Sequence, residues 1–551
     1  MAETRRDYYG KRLASLKKER SSWLNQWRDI SAIIQPVRGR FLITDQNRGE
    51  NRHQDIIDST GTRALRTLAA GLMAGMTSPA RPWFRLSVAD HELGERPAVH
   101  RWLADVTDVL RAIFARSNVY RALHSKYEEL GAFGTAAGLL EDDFDKVLRS
   151  HVLTCGEYML AQNHRQEVDT LYREFNMPAR SVAQMFGFKR CSTAVQNLIR
   201  TKNYDAGVPI VHAVEPRQDR DPRKLDAINM PWASVYFERG SREKEVLRES
   251  GYRDFRVVAP RWSVIGGDVY GRGPSMEALG DVKQLQRSQL MKGKAIDYQA
   301  DPPVQIPTSL KNSDDVDLLP GGTSYYNEAA GPNSGIRNAF EVNLNLAYLL
   351  EDIRDTRERI NQAYYVDMFL MISQMDTQRT ATEIAARQEE KLLMLGPVLE
   401  RLHNELLDPY IDVTFNRALR AGILPPPPEA LQGADLKVEY LSMLAQAQKA
   451  VGLNAVDRVL GTVGAVAGVR PEAADKLNID ELIDGYSEML GIDPDFIVAN
   501  EDVAIIRQNR AQMQIEAAQA QAAPGLARAT KDMADAAQTS GAGSVSQFSG
   551  L

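Results

Sequence analysis

The sequence predicts an α+β protein that is predominantly helical. Apolar side chains recur at helical spacing near the N-terminus, between residues 275 and 422, and again in the alanine-rich C-terminal part. Residues 134–265 instead contain short β-branched and aromatic runs interrupted by Pro, Gly and Asp, a pattern typical of strands. The 551 residues exceed what one hydrophobic core fills, so we expect roughly two to four structural modules.

The N-terminal region is predicted to form helices. Apolar residues recur at near-helical steps between Arg5 and Ile34, and Pro36 ends that pattern. The polar run Asp58–Thr60 is suited to cap the N-terminus of a helix over Thr62–Met76. Two further helices are predicted at Arg96–Ser117 and Tyr120–Gly131.

The middle region is predicted to combine strands with short helices. The clearest strand runs are Val152–Leu160, Pro209–Val214 and Ser234–Glu238. Helical patterns interrupt them at Ala179–Phe186 and Ser192–Thr201.

Two long helices are predicted on either side of a small β insertion. The first carries apolar residues from Met276 to about Ile296, and the prolines after Asp301 end it. Strands are predicted at Val304–Ile306 and Thr323–Tyr326, and the second helix covers Leu346–Tyr364 with an apolar stripe on an otherwise charged surface.

The polar stretch Ser373–Arg379 interrupts the helical pattern. Thr380 and Glu383 have capping-box spacing and predict a third helix, which the Gly396-Pro397 step should kink and Gly422 should end. The remainder is predicted to be helical until about residue 521, and the small polar residues that follow predict a disordered tail.

Charge and cysteine content exclude several classes of protein. A net charge of −6 argues against tight binding of DNA through many phosphate contacts, so we expect any DNA contact to be loose. Cys155 and Cys191 lack metal-site spacing and are predicted to be buried free thiols. The longest apolar stretch, Val459–Val469, is too short to span a membrane.

No motif predicts catalysis, a metal or a cofactor. The chain has no phosphate-binding Gly-x-x-x-x-Gly-Lys-Ser/Thr loop, no His-Glu-x-x-His and no Gly-x-Ser-x-Gly. The glycines of Gly266–Gly273 are interpreted as a strand-to-helix turn, where they allow positive φ or close backbone approach, rather than as a nucleotide loop. The acidic run Glu141–Asp145 is interpreted as a solvated turn rather than a divalent-metal site. We therefore predict that the protein is not an enzyme.

Four basic residues on the first long helix are candidates to face DNA. They are Lys283, Arg287, Lys292 and Lys294. The alternative is that these cations form a solvated or intersubunit surface, which is the more frequent role of such a charge run.

Three stretches together resemble the portal proteins, or head-to-tail connectors, of short-tailed double-stranded DNA bacteriophages. They are Glu167–Met177, Pro260–Asp281 and Thr380–Arg401. Each motif is weak alone, but their order and the matching run of elements extend over nearly the whole chain.

The resemblance implies the portal fold, in which subunits assemble as a ring, expected to be a dodecamer, around a DNA channel. The implied regions are a wing (1–270), a first stem helix (271–300), a clip (301–343), a second stem helix (344–366), a tunnel loop (367–379), a kinked helix (380–425), a helical crown (426–521) and a disordered tail (522–551). Gln374, Asp376, Thr377, Gln378 and Arg379 are the candidates to line the channel at the tunnel loop.

The resemblance also implies function, partners and location. The ring would sit at one capsid vertex and serve genome packaging, retention and ejection. Its expected partners are double-stranded DNA without sequence specificity, the terminase large subunit, tail adaptor or tail tube proteins, and the major capsid and scaffolding proteins, with no membrane. We expect synthesis in the bacterial host cytoplasm and residence in the virion. The alternatives are another structural virion protein, from the internal core or the tail, and a DNA-processing enzyme.

Overall fold

The structure is a computed structural model of the chain. It describes residues 4–43, 49, 52–94, 96–241, 245–307, 317, 319–326, 337–338, 346–374, 395–431, 435–442, 444, 462–463, 470, 478–483, 498, 503–514 and 533. The chain divides into two compact units, Met1–Val451 and Gly452–Leu551.

Helices and strands alternate along the first unit. Helices α1 to α14 are Arg5–Arg20, Leu24–Ile33, Thr60–Met76, His91–Gly94, Pro97–Arg116, Val119–Phe133, Ala179–Phe186, Thr193–Arg200, Pro274–Glu277, Leu279–Ala300, Leu346–Ala363, Val366–Gln374, residues 395–402 and Asp408–Arg420. Strands β1 to β13 are Phe84–Val88, Ala137–Asp143, Val147–Leu153, Tyr158–Gln162, Val168–Pro178, Gly207–Pro216, Trp232–Glu238, Arg248–Tyr252, Val257–Val258, Val304–Pro307, Thr323–Tyr326, Arg337–Asn338 and Leu436–Tyr440. The predominantly helical α+β fold is thus confirmed.

A five-stranded antiparallel sheet, in the order β4-β5-β6-β7-β8, forms one layer of the first unit. Helix α1 supplies Tyr9, Leu13 and Leu16 to the apolar cluster on one face, and helices α7 and α8 contribute to a second cluster with Tyr236. Because both faces are covered, strand β6 is apolar and buried along most of its length rather than alternating.

The largest core lies around helices α3, α5 and α6 and continues into α12 and α14. Two smaller sheets border it: β3-β2-β9, and the antiparallel pair β1-β13. At the end of α6, Gly134 has a φ of +71° and its backbone lies against that of Gly271. A β-carbon at either position would overlap the other residue, so the close backbone approach expected of the Gly266–Gly273 turn is confirmed.

Several predicted elements have different boundaries in the structure. The N-terminal helix is two helices, because the Ser21 hydroxyl donates to the Lys18 carbonyl at 2.6 Å and competes with the helical ladder. The strand run Val152–Leu160 is broken by a turn with a φ of +93° at Gly156, which sends β3 and β4 into different sheets.

Two of the assigned regions need correction. Residues 367–374, predicted as the start of the loop, form helix α12, because Met368 and Phe369 are buried and favour a packed helix. Within the segment predicted as helical crown, Leu436–Tyr440 is strand β13, since it pairs with β1 in register. The alternation in Leu-Lys-Val-Glu-Tyr is the strand period that the helical assignment overlooked.

The third predicted helix contains a π-helical turn at His403–Leu407. The backbone N–H of Asp408 bonds the His403 carbonyl, five residues back, and the next residue, Pro409, has no N–H to donate to the helix. The helix then continues as α14 and ends before Gly422, as predicted. The Gly396-Pro397 kink stays a prediction, because residues 380–394 lie outside the described residues.

In the second unit the described residues include helical segments at 462–463, 479–483 and 503–514. Arg507 donates two hydrogen bonds to Asp480, at 2.6 and 2.7 Å. The predicted disordered tail lies outside the described residues except for Met533, which is helical.

Candidate functional site

Helices α10 and α11 are packed into the protein at one end of the pair. We call this end the base, formed by residues 279–289 of α10 and 353–363 of α11. Val282 and Leu285 of α10 are buried there, as are Ile353 and Ile360 of α11. Their spacing of three or seven residues places each pair on one face of its helix, where it joins the main core.

The other end of the same two helices is exposed. We call it the distal half, formed by residues 290–300 of α10 and 346–352 of α11. Its exposed apolar side chains are Leu290, Met291, Ile296, Tyr348 and Leu350, with fractional exposures from 42% to 74%. At about 100° per residue, Leu290, Met291 and Ile296 point in three different directions, so these side chains surround the helix pair and do not form one face. Five large exposed apolar side chains on two adjacent helices make the distal half a candidate for contacts on more than one side.

A polar network fixes the base of the pair to the start of helix α3. The Asp58 carboxylate accepts hydrogen bonds from Arg357 of α11 at 2.7 Å and from Gln289 of α10 at 3.0 Å. The Gln286 amide donates to the Asp58 carbonyl and accepts from the backbone N–H groups of Ile57 and Asp58, each at 2.8 Å. Asp58 therefore joins three helices.

These contacts stabilise the ionised form of the Asp58 carboxyl group. Burial would raise the pKa of the Asp58 carboxyl, but hydrogen bonds from Thr60 and Arg357 outweigh burial and lower the pKa below its usual value. The carboxylate is thus ionised at neutral pH and pairs with the Arg357 guanidinium.

The four basic candidates on α10 have different surroundings. Lys283 forms an ion pair with Asp29 at 2.7 Å, in which both side chains are about half exposed. Arg287 and Lys294 are exposed, and Lys292 is half-buried. Among the described residues, these last three have no ion-pair partner.

Helix geometry separates Lys292 from the other three. At about 100° per residue, Lys283, Arg287 and Lys294 fall within about 40° of one another, on a stripe about 16 Å long. Lys292 lies about 160° from Lys294, on the opposite side of the helix. The sequence analysis treated the four residues as one group that faces DNA. Helix geometry shows that Lys292 cannot face the same surface as the other three.

The loop candidates follow helix α12. Gln374 is the last residue of that helix, while Asp376, Thr377, Gln378 and Arg379 lie outside the described residues. Helix α12 is anchored on α3, where the ring of Phe369 occupies the space that a β-carbon at Gly71 would fill. Helix α12 therefore sets the position from which the loop begins.

The acidic run 141–145 is engaged in structural contacts. Glu141 binds His151 at 3.1 Å, and Asp142 pairs with Arg256 at 2.7 Å and Arg417 at 2.8 Å. The Asp143 carboxylate accepts the backbone N–H groups of Asp145 and Lys146 at the hairpin turn. Across the part of the chain that the structure describes, no group of three or more His, Cys, Asp or Glu residues is arranged to hold a metal.

Membrane insertion has no support in the described helices. Not one of them is both long enough and apolar enough to cross a bilayer.

Sequence reasoning missed the role of Asp58 at the base of the helix pair. The run Asp58–Thr60 was predicted to cap the helix, yet Ser59 at the cap position makes no capping hydrogen bond, and it is the Asp58 side chain that accepts the Thr60 N–H at 2.9 Å. Its contacts with Gln286, Gln289 and Arg357 join residues more than 200 positions apart, and a single sequence carries no signal for them.

Comparison with known proteins decides the family. The family model for the bacteriophage head to tail connecting protein matches residues 6–498. The chain belongs to this family. It is similar to a probable portal protein of Bordetella phage BPP-1, with 56% identity over 522 residues and 94% of each chain covered. It is also similar to the portal protein of Salmonella phage epsilon15, with 45% identity over 525 residues, 95% of this chain and 94% of the relative.

Solved structures show a more distant likeness. The neck of an empty gene transfer agent particle, computed with C6 symmetry, matches with a TM-score of 0.37 at 13% identity, covering 83% of this chain and 96% of the other. The native neck computed with C12 symmetry matches with a TM-score of 0.31 at 12% identity, covering 74% and 85%. TM-scores this low support no statement about this chain.

Family membership confirms the resemblance that the three sequence motifs indicated. The function of the chain is to connect head and tail in a bacteriophage, and it is a structural component of the virion.

Proposed function

We propose that the chain acts as a portal, a ring of identical subunits around a channel through which double-stranded DNA enters and leaves the head. The observation that carries this proposal is the exposed apolar surface on the distal half of α10 and α11. A single chain leaves Ile296, Tyr348 and Leu350 in water. Head-to-tail contacts with two neighbours would cover such a surface and close into a ring, and we expect twelve subunits from the sequence resemblance.

The helix pair is the stem in this proposal. Its base, fixed by Asp58 and the core, connects the stem to the wing. The three-stranded sheet β11-β10-β12 lies in the chain between the two stem helices and corresponds to the clip. The clip is the proposed docking site for the terminase large subunit and for the tail adaptor or tail tube proteins.

Arg287 and Lys294 are the proposed DNA-facing cations of the stem. Lys283 shares their stripe but is neutralised by Asp29. Since affinity for DNA rises steeply with the number of phosphates neutralised, a few cations on an otherwise acidic chain would guide the duplex without retaining it. The loop after Gln374, with Asp376, Thr377, Gln378 and Arg379, is the proposed constriction.

The remaining assignments follow the same proposal. The wing and crown would contact major capsid and scaffolding proteins at one vertex, after synthesis in the host cytoplasm. The protein would act in genome packaging, retention and ejection without catalysing a reaction itself. Engagement of Glu141, Asp142 and Asp143 in structural contacts supports this role over that of a metal-dependent nuclease.

Negative-stain electron microscopy with analytical ultracentrifugation of the purified full chain tests the proposal. Uniform rings with an axial hole, and a matching sedimentation coefficient, are the expected result. Monomers or dimers that persist at high protein concentration would contradict it.

A further inference from the structure

Two short helices form a basic unit on the five-stranded sheet. The unit, residues 179–204, connects strands β5 and β6 and consists of α7, a 3₁₀ turn at Phe188–Arg190 and α8. Its inner side chains, among them Val182, Phe186 and Val195, join the apolar cluster on one face of the sheet. The opposite side of both helices is exposed, so the unit has an outer surface in contact with solvent.

The charged side chains of this outer surface are all positive. Between Glu174 and Asp205 the sequence has no acidic residue, although the whole chain has 73 acidic and 67 basic residues. Glu238 accepts the N–H of Ser192 at 2.8 Å, but its side chain is buried in strand β7. Among the described residues, the exposed basic side chains of the unit have no ion-pair partner. They are Arg180, Lys189, Arg190, Arg200 and Lys202.

Contacts inside the unit bring these five cations together. The Arg200 guanidinium lies 5.9 Å from the centre of the Phe188 ring, at the start of the turn that carries two of the other cations. At the opposite end of the unit, the N–H of Arg180 donates to the Tyr204 carbonyl at 3.1 Å, and Lys202 is two residues from Tyr204. Since each helix has eight residues and is about 12 Å long, the cations occupy one patch of roughly 20 Å.

The outer face of α8 suits the backbone of a nucleic acid better than the centre of a protein interface. At about 100° per residue its exposed side chains lie within about 120° of one another. They are Thr193, Ala194, Asn197 and Arg200. Phosphate oxygens accept hydrogen bonds from Thr, Asn, Arg and Lys, whereas the centre of a protein interface is enriched in large apolar and aromatic side chains. Met185, Phe188 and Tyr204 are 38% to 42% exposed but lie outside α8.

We propose that the α7–α8 unit binds the phosphate backbone of double-stranded DNA, without sequence specificity and through its five cations. The inference rests on the proposed function only for the identity of the polyanion, because duplex DNA is what a portal would convey. The site is distinct from the stem cations Arg287 and Lys294, which belong to α10. A patch of five cations on a chain of net charge −6 makes the contact local, and we expect its affinity to fall steeply as salt rises.

Fluorescence anisotropy of the purified full-length chain with a labelled duplex of about 20 base pairs tests the site. The logarithm of the association constant should fall linearly with the logarithm of the potassium chloride concentration, with a slope of about −4 to −5 for five phosphates. Lys189→Gln with Arg200→Gln should weaken binding about tenfold or more at low salt and make the slope shallower by about two. The matched control is Arg101→Gln with Arg116→Gln, which removes two exposed arginines of α5 and should leave affinity and slope unchanged.

Sedimentation and thermal melts of each variant show whether assembly and folding are intact. Absence of saturable DNA binding by the folded wild-type chain at low salt would overturn the proposal, as would an equal loss of affinity in the control variant. Binding that is lost in Arg287→Gln with Lys294→Gln, and kept in Lys189→Gln with Arg200→Gln, would assign the DNA contact to the stem and also overturn it.

A protein partner gives a different result. If Lys189→Gln with Arg200→Gln changed the sedimentation of the chain but not its affinity for DNA, the unit would contact an acidic surface of a neighbouring copy and the proposal would be wrong. DNA binding and ring formation are measured separately, so failure of this proposal is distinct from failure of the proposed function.

Discussion

The two ends of the α10–α11 pair differ in what stabilises them. At the base, Leu285 and Ile360 are fully buried and Asp58 joins both helices to α3. In the distal half, Leu290 is 45% exposed and Tyr348 is 74% exposed. The base of the two helices is thus packed within one chain, whereas apolar side chains of the distal half are exposed in one chain. The difference separates residues that fold the subunit from residues that we expect to assemble it.

The largest expected effect is loss of assembly from a charge in the distal half. Ile296→Asp, on the side of α10 away from Arg287 and Lys294, would place a carboxylate in the proposed contact between neighbouring copies, where burying an unpaired charge is costly. We expect sedimentation to show small species in place of rings, with an unchanged thermal melt of the chain. Leu225→Asp is the control, because Leu225 is 76% exposed outside the stem and should leave rings intact. Rings formed by Ile296→Asp would contradict the assignment of the distal half.

The next largest effect concerns the base. Leu285→Ala removes a fully buried side chain and should lower the free energy of unfolding by about 2–5 kcal/mol. Leu290→Ala, the same change one and a half turns further along the helix, should lower it by less than about 1 kcal/mol in the unassembled chain. Denaturant titration of both variants measures this. Equal losses of unfolding free energy in the two variants would show that the base and the distal half do not differ in how tightly they are packed.

A smaller effect is expected from the polar network. Asp58→Ala leaves Arg357 and Gln289 without their shared acceptor and should destabilise the chain by about 2 kcal/mol in the same titration. Asp29→Ala, which breaks the exposed pair with Lys283, should change stability by less than about 1 kcal/mol. A reversed order would refute the role of Asp58 in fixing the stem.

The pH dependence of stability tests the same residue with a definite sign. Since the pKa of folded Asp58 is lowered, its stabilisation is fully present above the unfolded pKa near 4 and is lost as pH falls through the folded pKa. The wild-type advantage over Asp58→Asn should therefore be constant at neutral pH and shrink below about pH 4. An advantage that does not shrink at all as the pH falls below about 4 would argue against an ionised Asp58.

The smallest effect is expected for the stem cations. Arg287→Ala with Lys294→Ala should reduce DNA packaging by about twofold to fivefold, since only two phosphate contacts are removed. Lys292→Ala, on the opposite side of α10, should have no effect. Packaging assays with particles carrying each variant make the comparison. Equal effects of Lys292 and Lys294 would refute the assigned channel face.

Much of the helical fold follows from local sequence. Helix α7 begins and ends at the predicted residues, and β11 does as well, because apolar periodicity and punctuating Gly and Pro residues define both. That Lys292 and Lys294 lie on opposite sides of the helix could also have been predicted from helix geometry alone.

Other features depend on distant contacts. Strand β13 is only five residues long, and its partner β1 is about 350 residues earlier in the sequence. Pairing between the two strands therefore decides the structure of β13. Helix α12 ends in polar residues that resemble a loop, yet packing of Phe369 on α3 keeps it helical. The alignment of Arg173, His212, Tyr236 and Arg248 across strands β5 to β8 depends on the register of four strands, which no local pattern specifies.

Electron cryomicroscopy of the assembled full-length protein tests the central claim most directly. The account predicts that Ile296 and Tyr348 of one subunit are covered by a neighbouring subunit, while the Asp58 network closes within one chain. A ring in which these two side chains face solvent, with subunits joined elsewhere, would contradict it.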